Sequence, residues 1–157
     1  MFLSDLSSAE ADIDHALRLG YRNAEMLLMK GIVLDSRMNY DEAIRTYTSA
    51  LSMGLDHRNY CFALADRAQA YLSKTAYSQS LDDWNKQYKD CPEGREDTLV
   101  DRGSTYSLMG KDELALADWQ AALELDPNDP VVFKNRTLLL MASFGEFVGK
   151  WRAQCCG

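Results

Sequence analysis

Residues 99–106 read LVDRGSTY and residues 64–71 read LADRAQAY, so the two stretches share Leu, Asp, Arg, a small residue and Tyr at a separation of 35 positions. A looser copy, LLMKGIVL, occupies residues 27–34, and a shorter one, FKNRT, occupies residues 133–137. Self-similarity at a nearly constant spacing indicates an array of repeated structural units.

A second pattern follows the first three copies at a fixed distance. Its three members are spaced four and then three residues apart, which places them on one face of an α-helix. They are Ala43, Tyr47 and Ala50, then Ser80, Trp84 and Gln87, then Ala115, Trp119 and Ala122. We therefore predict that each unit is two antiparallel amphipathic helices joined by a short turn. No segment shows the period-two alternation of a strand.

Small side chains recur where the first helix of a unit would cross the second, as at Gly31 and Ala43. A larger side chain at such a crossing would destabilise the packing by about 1–3 kcal/mol. The large aromatic residue of each second helix is expected to fill the wedge toward the next unit. The predicted repeat-packing residues are Gly31, Ala43, Tyr47, Ala50, Ala68, Tyr71, Ser80, Trp84, Gly103, Tyr106, Ala115, Trp119 and Ala122.

The order of these residues resembles the tetratricopeptide repeat (TPR) family. The third unit matches most fully, with Leu99, Gly103, Tyr106, Ala115, Trp119, Ala122 and Pro127. The resemblance implies an all-α fold, a right-handed superhelical stack of antiparallel helix pairs in one domain over residues 1–157. It implies a half-repeat helix at 9–21, full repeats at 24–57, 61–94 and 96–129, and a degenerate repeat or capping helices at 130–157.

In this family the first helix of each pair lines a concave groove, so the resemblance also implies a partner-binding surface. The outward positions of these helices are Glu25, Leu28, Ile32, Asp35, Phe62, Ala65, Gln69, Leu72, Asp97, Val100 and Ser104. They combine apolar side chains with acids, so we expect another protein to bind through an apolar or basic peptide segment. We also expect Leu28→Asp with Ile32→Asp to abolish partner capture and to leave the stack folded.

One subtype of the family, the carboxylate clamp, grips chaperone C-termini with Lys, Arg and Asn. The matching positions in this chain are Leu28, Ile32, Asp66, Asp97 and Asp101. Acids at a site for a carboxylate ligand would repel that ligand. This specificity is therefore not expected here.

The composition excludes several classes of function. Net charge is −7, from 17 basic and 24 acidic residues, and an acidic surface disfavours binding to nucleic acid or to an anionic membrane. No apolar run approaches the ~20 residues of a membrane span, and no secretory signal opens the chain, so a cytoplasmic location is expected. Since there is no Gly-rich phosphate loop, GxSxG or HExxH motif, we expect neither catalysis nor a cofactor.

The four cysteines are Cys61, Cys91, Cys155 and Cys156. They form no CxxC motif, and the two histidines stand in unrelated segments, so no metal site is expected. We interpret the cysteines as small buried or surface thiols in a reducing compartment.

Two further features leave alternatives open. The repeated Asp66-Arg67 and Asp101-Arg102 dipeptides cannot form internal pairs, because adjacent helical residues do not face each other. Inter-repeat hydrogen bonds or exposed charge would explain them. The terminal helices, including one predicted from Glu146 to Cys156, either cap the core, mediate self-association or mark the cut edge of a longer array.

The leading hypothesis is a non-catalytic protein–protein interaction module that acts as a scaffold, adaptor or assembly factor. The alternative is a small acidic chaperone of the secretion type that holds an apolar client segment, since such chaperones can be short stacks of this repeat. A third class, an RNA-binding helical repeat, is opposed by the net negative charge.

Overall fold

The computed structural model describes residues 2–21, 23–137 and 139–141. Within these ranges all regular secondary structure is helical, which confirms the all-α class. The helices are α1 (Phe2–Arg18), α2 (Ala24–Ser36), α3 (Tyr40–Met53), α4 (His57–Ser73), α5 (Tyr77–Asp90), α6 (Arg95–Leu108) and α7 (Asp112–Leu125), and a further helical segment begins at residue 130. None of the described helices is long and apolar enough to cross a membrane.

The chain divides into two compact units, unit 1 (Met1–Glu93) and unit 2 (Gly94–Gly157). In unit 1, α2 packs on α3 and α4 packs on α5, while α3 also packs on α4 and α2 also touches α4. Helix α1 packs on α2 and begins at Phe2, earlier than the half-repeat helix predicted from residue 9. In unit 2, α6 and α7 form one pair.

The turn inside each pair needs one residue in the left-handed backbone region. Gly110 supplies it between α6 and α7 with φ +69°, and glycine adopts this conformation without steric cost. The equivalent residues are Met38 between α2 and α3, with φ +60°, and Thr75 between α4 and α5, with φ +57°. Left-handed geometry is unfavourable for both side chains, and most of all for the β-branched Thr75.

In the α2–α3 and α6–α7 pairs, the aromatic residue of the second helix lies against the small residue of its own first helix. A Cβ atom added to Gly103 would lie 2.6 Å from Nε1 of Trp119, and one added to Gly31 would overlap the ring of Tyr47. Tyr47 is buried in a cluster that also holds Ala63 of α4. These aromatic side chains therefore pack within their own helix pair. The expectation from the sequence placed them only in the wedge toward the next unit.

A buried ion pair joins the two helices of each of the last two pairs. Arg67 donates through Nε and Nη2 to Asp83 at 2.8 and 2.6 Å, and Arg102 donates in the same way to Asp118 at 2.7 and 2.7 Å. Each pair spans 16 residues. The interpretation of these arginines as exposed charge is wrong, whereas an inter-repeat hydrogen bond joins Arg67 to Thr48 of α3, at 2.9 Å.

A disulfide joins Cys61, in the second turn of α4, to Cys91, the residue after α5. The interpretation of these two residues as free thiols is therefore wrong. The bond links the start of α4 to the end of α5. It therefore closes the end of the pair that lies opposite the turn, which we call the open end. Cys155 and Cys156 lie outside the described residues.

Candidate functional site

The predicted partner-binding residues of unit 1 lie on two helices that touch, α2 and α4. Ile32 and Phe62 expose large apolar side chains, with 43% and 49% of their surface accessible. Glu25 and Gln69 are exposed as well, and Asp35, Ala65 and Leu72 are half-buried. We call this surface the α2–α4 face, defined by Glu25, Ile32, Asp35, Phe62, Ala65, Asp66, Gln69 and Leu72.

Leu28 does not belong to the face, although its position on the helical stripe predicted that it would. Its side chain is only 5% exposed and packs in the core cluster with Leu27, Leu34 and Tyr47. A charge at residue 28 would be buried without a partner and would destabilise unit 1. The expectation that Leu28→Asp leaves the stack folded is therefore wrong, and Ile32 is the residue that can probe the surface.

Two carboxylates of the face, Asp35 and Asp66, have no compensating cation in the part of the chain that the structure describes. Burial and, to a smaller extent, the charge of Asp35 together raise the pKa of Asp66 to about 6. Burial also raises the pKa of Asp35. Oδ1 of Asp35 is buried without a hydrogen-bond partner among the described residues. A positive group bound here would stabilise both charged carboxylates.

In the sequence, Asp66 was noted as a position of the carboxylate clamp and as part of the repeated Asp-Arg dipeptide, but not as a binding residue. Its neighbour Arg67 pairs with Asp83 and so does not neutralise it. Comparison of the repeats could have indicated the Arg67–Asp83 pair, because Arg67 and Arg102 each precede an aspartate by 16 residues.

Phe62 has one basic neighbour. The guanidinium carbon of Arg58, one turn earlier in α4, lies 5.5 Å from the centre of the Phe62 ring. This is within the range of a cation–π contact. The stacked side chain helps to hold the exposed ring at the start of α4.

In unit 2 the first helix, α6, repeats part of the pattern. Asp97 is exposed, while Val100 and Ser104 are half-buried, and Ser104 donates to the Val100 carbonyl of its own helix at 2.8 Å. Burial raises the pKa of Asp101 to about 6, and the charge of Asp97 acts in the same direction. The α6 surface is therefore acidic, but none of its predicted binding positions exposes a large apolar side chain.

A cavity of about 370 Å³ lies elsewhere in unit 1, lined by Leu17, Leu27, Lys30, Glu42, Arg45, Thr46 and Ser49. The cavity lies beside the α2–α3 pair, which lacks the Arg–Asp bridge found in the other two pairs. Lys30 and Thr46 stand at the equivalent positions, and Lys30 pairs with Asp14 of α1 at 2.9 Å. None of the predicted partner-binding residues lines this cavity. Among the described residues, no group of three His, Cys, Asp or Glu side chains is placed to hold a metal ion.

The helical segment that begins at residue 130 exposes Val131 and Phe133. Self-association through the terminal helices stays a prediction. The helix expected from Glu146 to Cys156 lies outside the described residues.

Residues 96–129 match the sequence model of the tetratricopeptide repeat, and this is the range assigned above to the third full repeat. The structure matches that of YrrB, described as a TPR protein with an unusual peptide-binding site, with a TM-score of 0.76 and 19% identity over 87% of this chain and 68% of YrrB. Residues 96–129 therefore carry a tetratricopeptide repeat, and the described fold is like that of TPR proteins. The predicted fold class is thereby confirmed.

Two other solved TPR structures are similar. The first TPR domain of Spaghetti (RPAP3), bound to the HSP90 peptide SRMEEVD, matches with a TM-score of 0.67 and 26% identity over 76% of this chain and 92% of that domain. A TPR protein from Parabacteroides merdae matches with a TM-score of 0.75 and 27% identity over 87% of this chain. The match spans 53% of the Parabacteroides protein. No curated protein is significantly similar to the chain in sequence.

Proposed function

We propose that this protein is a non-catalytic adaptor or scaffold whose α2–α4 face binds a peptide segment of a partner protein. The segment carries an apolar side chain next to a Lys or Arg. One observation carries the proposal: exposed Ile32 and Phe62 accompany two partly buried carboxylates, Asp35 and Asp66, that pair with no cation of the described residues. Apolar contact would supply affinity, and the charge would select a basic peptide.

The similar structures support a peptide as the partner. The Spaghetti domain is bound to the peptide SRMEEVD, and YrrB is described as having a peptide-binding site. SRMEEVD has three acidic side chains near its C-terminus, whereas the α2–α4 face has uncompensated acids of its own. Repulsion between like charges would oppose the binding of such a peptide here. We therefore propose that the α2–α4 face prefers a peptide of positive charge.

The proposal is tested by selecting peptides from a random display library with the purified chain and with Ile32→Asp. We expect the wild-type chain to enrich sequences that combine Leu, Ile or Phe with Lys or Arg, and Ile32→Asp to lose this enrichment. Met53→Asp is the matched control, because Met53 is 48% exposed at the end of α3 and lies off the face. It should enrich the same peptides as the wild type.

The selected sequences also distinguish the alternatives. Enrichment of acidic peptides, or equal loss in both variants, would contradict the proposed face. Enrichment of apolar peptides without any preference for Lys or Arg would favour a chaperone for an apolar client segment over an adaptor.

A further inference from the structure

We propose that the Cys61–Cys91 disulfide is a redox-sensitive staple that orders the start of α4 and thereby tunes the affinity of the α2–α4 face. The effect on affinity rests on the function proposed above. The effect on the order of α4 does not depend on it. The argument starts from the position of the bond, because Cys61 is the residue directly before Phe62.

The open end of the α4–α5 pair is closed mainly by polar contacts besides the disulfide. Tyr60 donates its hydroxyl to Asp90 at 3.0 Å, and Gln87 donates its amide to the Cys61 carbonyl at 3.2 Å. The ammonium group of Lys86 lies 5.5 Å from the centre of the Tyr60 ring. Polar contacts with access to water contribute little net free energy, so the covalent link is the strongest restraint at this end.

The position of Gln87 explains why a restraint is needed at this end. Residues equivalent to Gln87 in the neighbouring pairs are Ala50 and Ala122, and both are fully buried. A glutamine cannot pack as closely as alanine between two helices. The pair that lacks the small residue is thus the pair that has the disulfide.

The bond is open to attack from one side. Cys91 is 2% exposed, whereas Cys61 is half-buried and its Sγ lies 3.9 Å from Nε2 of the exposed His57, so Cys61 is the more accessible side of the bond for an external thiolate. A dithiol reductant would form a mixed disulfide with Cys61 and release Cys91 as a thiolate, which takes up a proton. The second thiol of the reductant then displaces Cys61, which is protonated in turn, and the reductant leaves oxidised as its own disulfide.

Reduction should loosen the first turns of α4. These turns hold both Phe62 and Arg58, which stacks on the Phe62 ring. A peptide that binds the reduced protein must order this segment first, and that ordering weakens the observed affinity. Disulfides persist in oxidising compartments and are transient in reducing ones, so the affinity would depend on the surroundings of the protein.

The experiment compares two proteins in a Cys155→Ser/Cys156→Ser background. One keeps Cys61 and Cys91, and the other carries Cys61→Ser and Cys91→Ser. Each is measured with and without dithiothreitol, with the thiol content determined by mass after alkylation. The readouts are amide hydrogen exchange of residues 57–62, the thermal midpoint, and binding of the basic peptide most enriched by display.

With both cysteines present, we expect reduction to speed amide exchange of residues 57–62 by about tenfold or more. The midpoint should fall by roughly 10 °C, as expected for opening a loop of this length. Peptide affinity should fall by about threefold to tenfold. The serine variant should match the reduced protein and should not respond to the reductant.

Unchanged exchange in protein whose Cys61 and Cys91 are shown to be reduced would overturn the staple. Faster exchange with unchanged affinity for a peptide that does bind would overturn the link between the staple and the face. Absence of peptide binding in both redox states would instead contradict the proposed function, and the exchange measurement would still decide whether the staple exists.

Discussion

The α4–α5 pair and the α6–α7 pair are built on the same frame but differ in how well their other residues fit it. Each has a buried bidentate bridge across the two helices, Arg67–Asp83 in the first and Arg102–Asp118 in the second. In both, the tryptophan of the second helix is buried. The ion pair and the aromatic residue are therefore the common frame of a pair in this chain.

Three equivalent positions inside the two pairs carry different residues, and a fourth carries a tryptophan in both. The differing residues are Thr75, Ser80 and Gln87 in α4–α5, against Gly110, Ala115 and Ala122 in α6–α7. The hydroxyl of Ser80 and Nε1 of Trp84 are buried without hydrogen-bond partners among the described residues, whereas Nε1 of Trp119 donates to the Val100 carbonyl at 3.2 Å. Each unpaired buried group destabilises a fold by about 1–3 kcal/mol.

The disulfide occurs only in the pair with the poorer fit. In α6–α7 the residues equivalent to Cys61 and Cys91 are Glu96 and Asp126. Burial, a hydrogen bond to Asp129 and neighbouring carboxylates raise the pKa of Glu96. A well-packed pair tolerates like charges at its open end, whereas the pair with polar residues inside it is closed by a covalent bond.

Removal of the buried bridge should have the largest effect. Asp83→Ala and Asp118→Ala each leave a buried guanidinium without its carboxylate and should lower the free energy of unfolding by about 3–5 kcal/mol. Urea denaturation measures this loss. The exposed Asp82 is the matched control, and Asp82→Ala should change stability by less than about 0.5 kcal/mol. Equal small losses for all three variants would show that the bridge is not part of the common frame.

The turn residue should have the next largest effect, with opposite signs in the two pairs. Thr75→Gly relieves a left-handed β-branched residue and should stabilise the chain by about 1 kcal/mol. Gly110→Thr imposes the same strain and should destabilise it by about 1–2 kcal/mol. No atom lies within 4 Å of a Cβ added at Gly110, so the effect comes from the backbone alone. Thermal unfolding of the two variants would contradict this account if the signs agreed.

A smaller change is expected from exchanging the small residues at the helix crossing. Ser80→Ala removes a buried hydroxyl that has no partner and should stabilise the chain by about 1 kcal/mol. Ala115→Ser introduces such a hydroxyl in the other pair and should destabilise it by a similar amount. Both side chains are fully buried, so the substitutions are matched in environment. Destabilisation by Ser80→Ala in urea denaturation would mean that the hydroxyl is satisfied in solution.

A further effect concerns pH and should be common to the two pairs. The folded-state pKa of Asp66 and of Asp101 is raised well above the usual aspartate range, to about 6. Each therefore destabilises the fold progressively as pH rises from about 4 to about 6, fully above that range and not below it. Asp66→Asn and Asp101→Asn should stabilise the chain more at about pH 8 than at about pH 4. Thermal unfolding at the two pH values measures the difference.

Burial is the main cause of both pKa shifts, but the neighbouring carboxylate that adds to it differs between the pairs, and this sharpens the comparison. The charge of Asp35 on α2 acts on Asp66, whereas Asp97 of the same helix acts on Asp101. Asp35→Asn should lower the pKa of Asp66 and leave that of Asp101 unchanged, as measured by carboxyl NMR titration. A shift at both residues would contradict these assignments.

The sequence predicted the helix pairs because their signal is local and repeated. The spacing of Ala115, Trp119 and Ala122 is that of one helical face, and Gly103 recurs at a crossing. Leu28 was misassigned because α2 packs against α1, α3 and α4, so most of its circumference is buried and the exposed stripe is narrow. A helical period alone does not show how far around the helix the buried surface extends.

The disulfide and the bridges depend on residues that meet only in the folded pair. Cys61 and Cys91 are 30 positions apart and form no motif, and their equivalents in the other repeats are not cysteines. The Arg–Asp spacing of 16 residues occurs twice, so a residue-by-residue comparison of the units would have indicated the bridges. A contact found in a single repeat gives no such signal.

The proposed charge preference of the α2–α4 face is tested most directly by titration calorimetry with two peptides. The wild-type chain should bind the basic peptide most enriched by display about tenfold or more tightly than SRMEEVD. Asp35→Asn with Asp66→Asn, which keeps the size of both side chains, should reduce that ratio to near unity. A wild-type preference for SRMEEVD, or a ratio unchanged in the double variant, would contradict the assignment of this face.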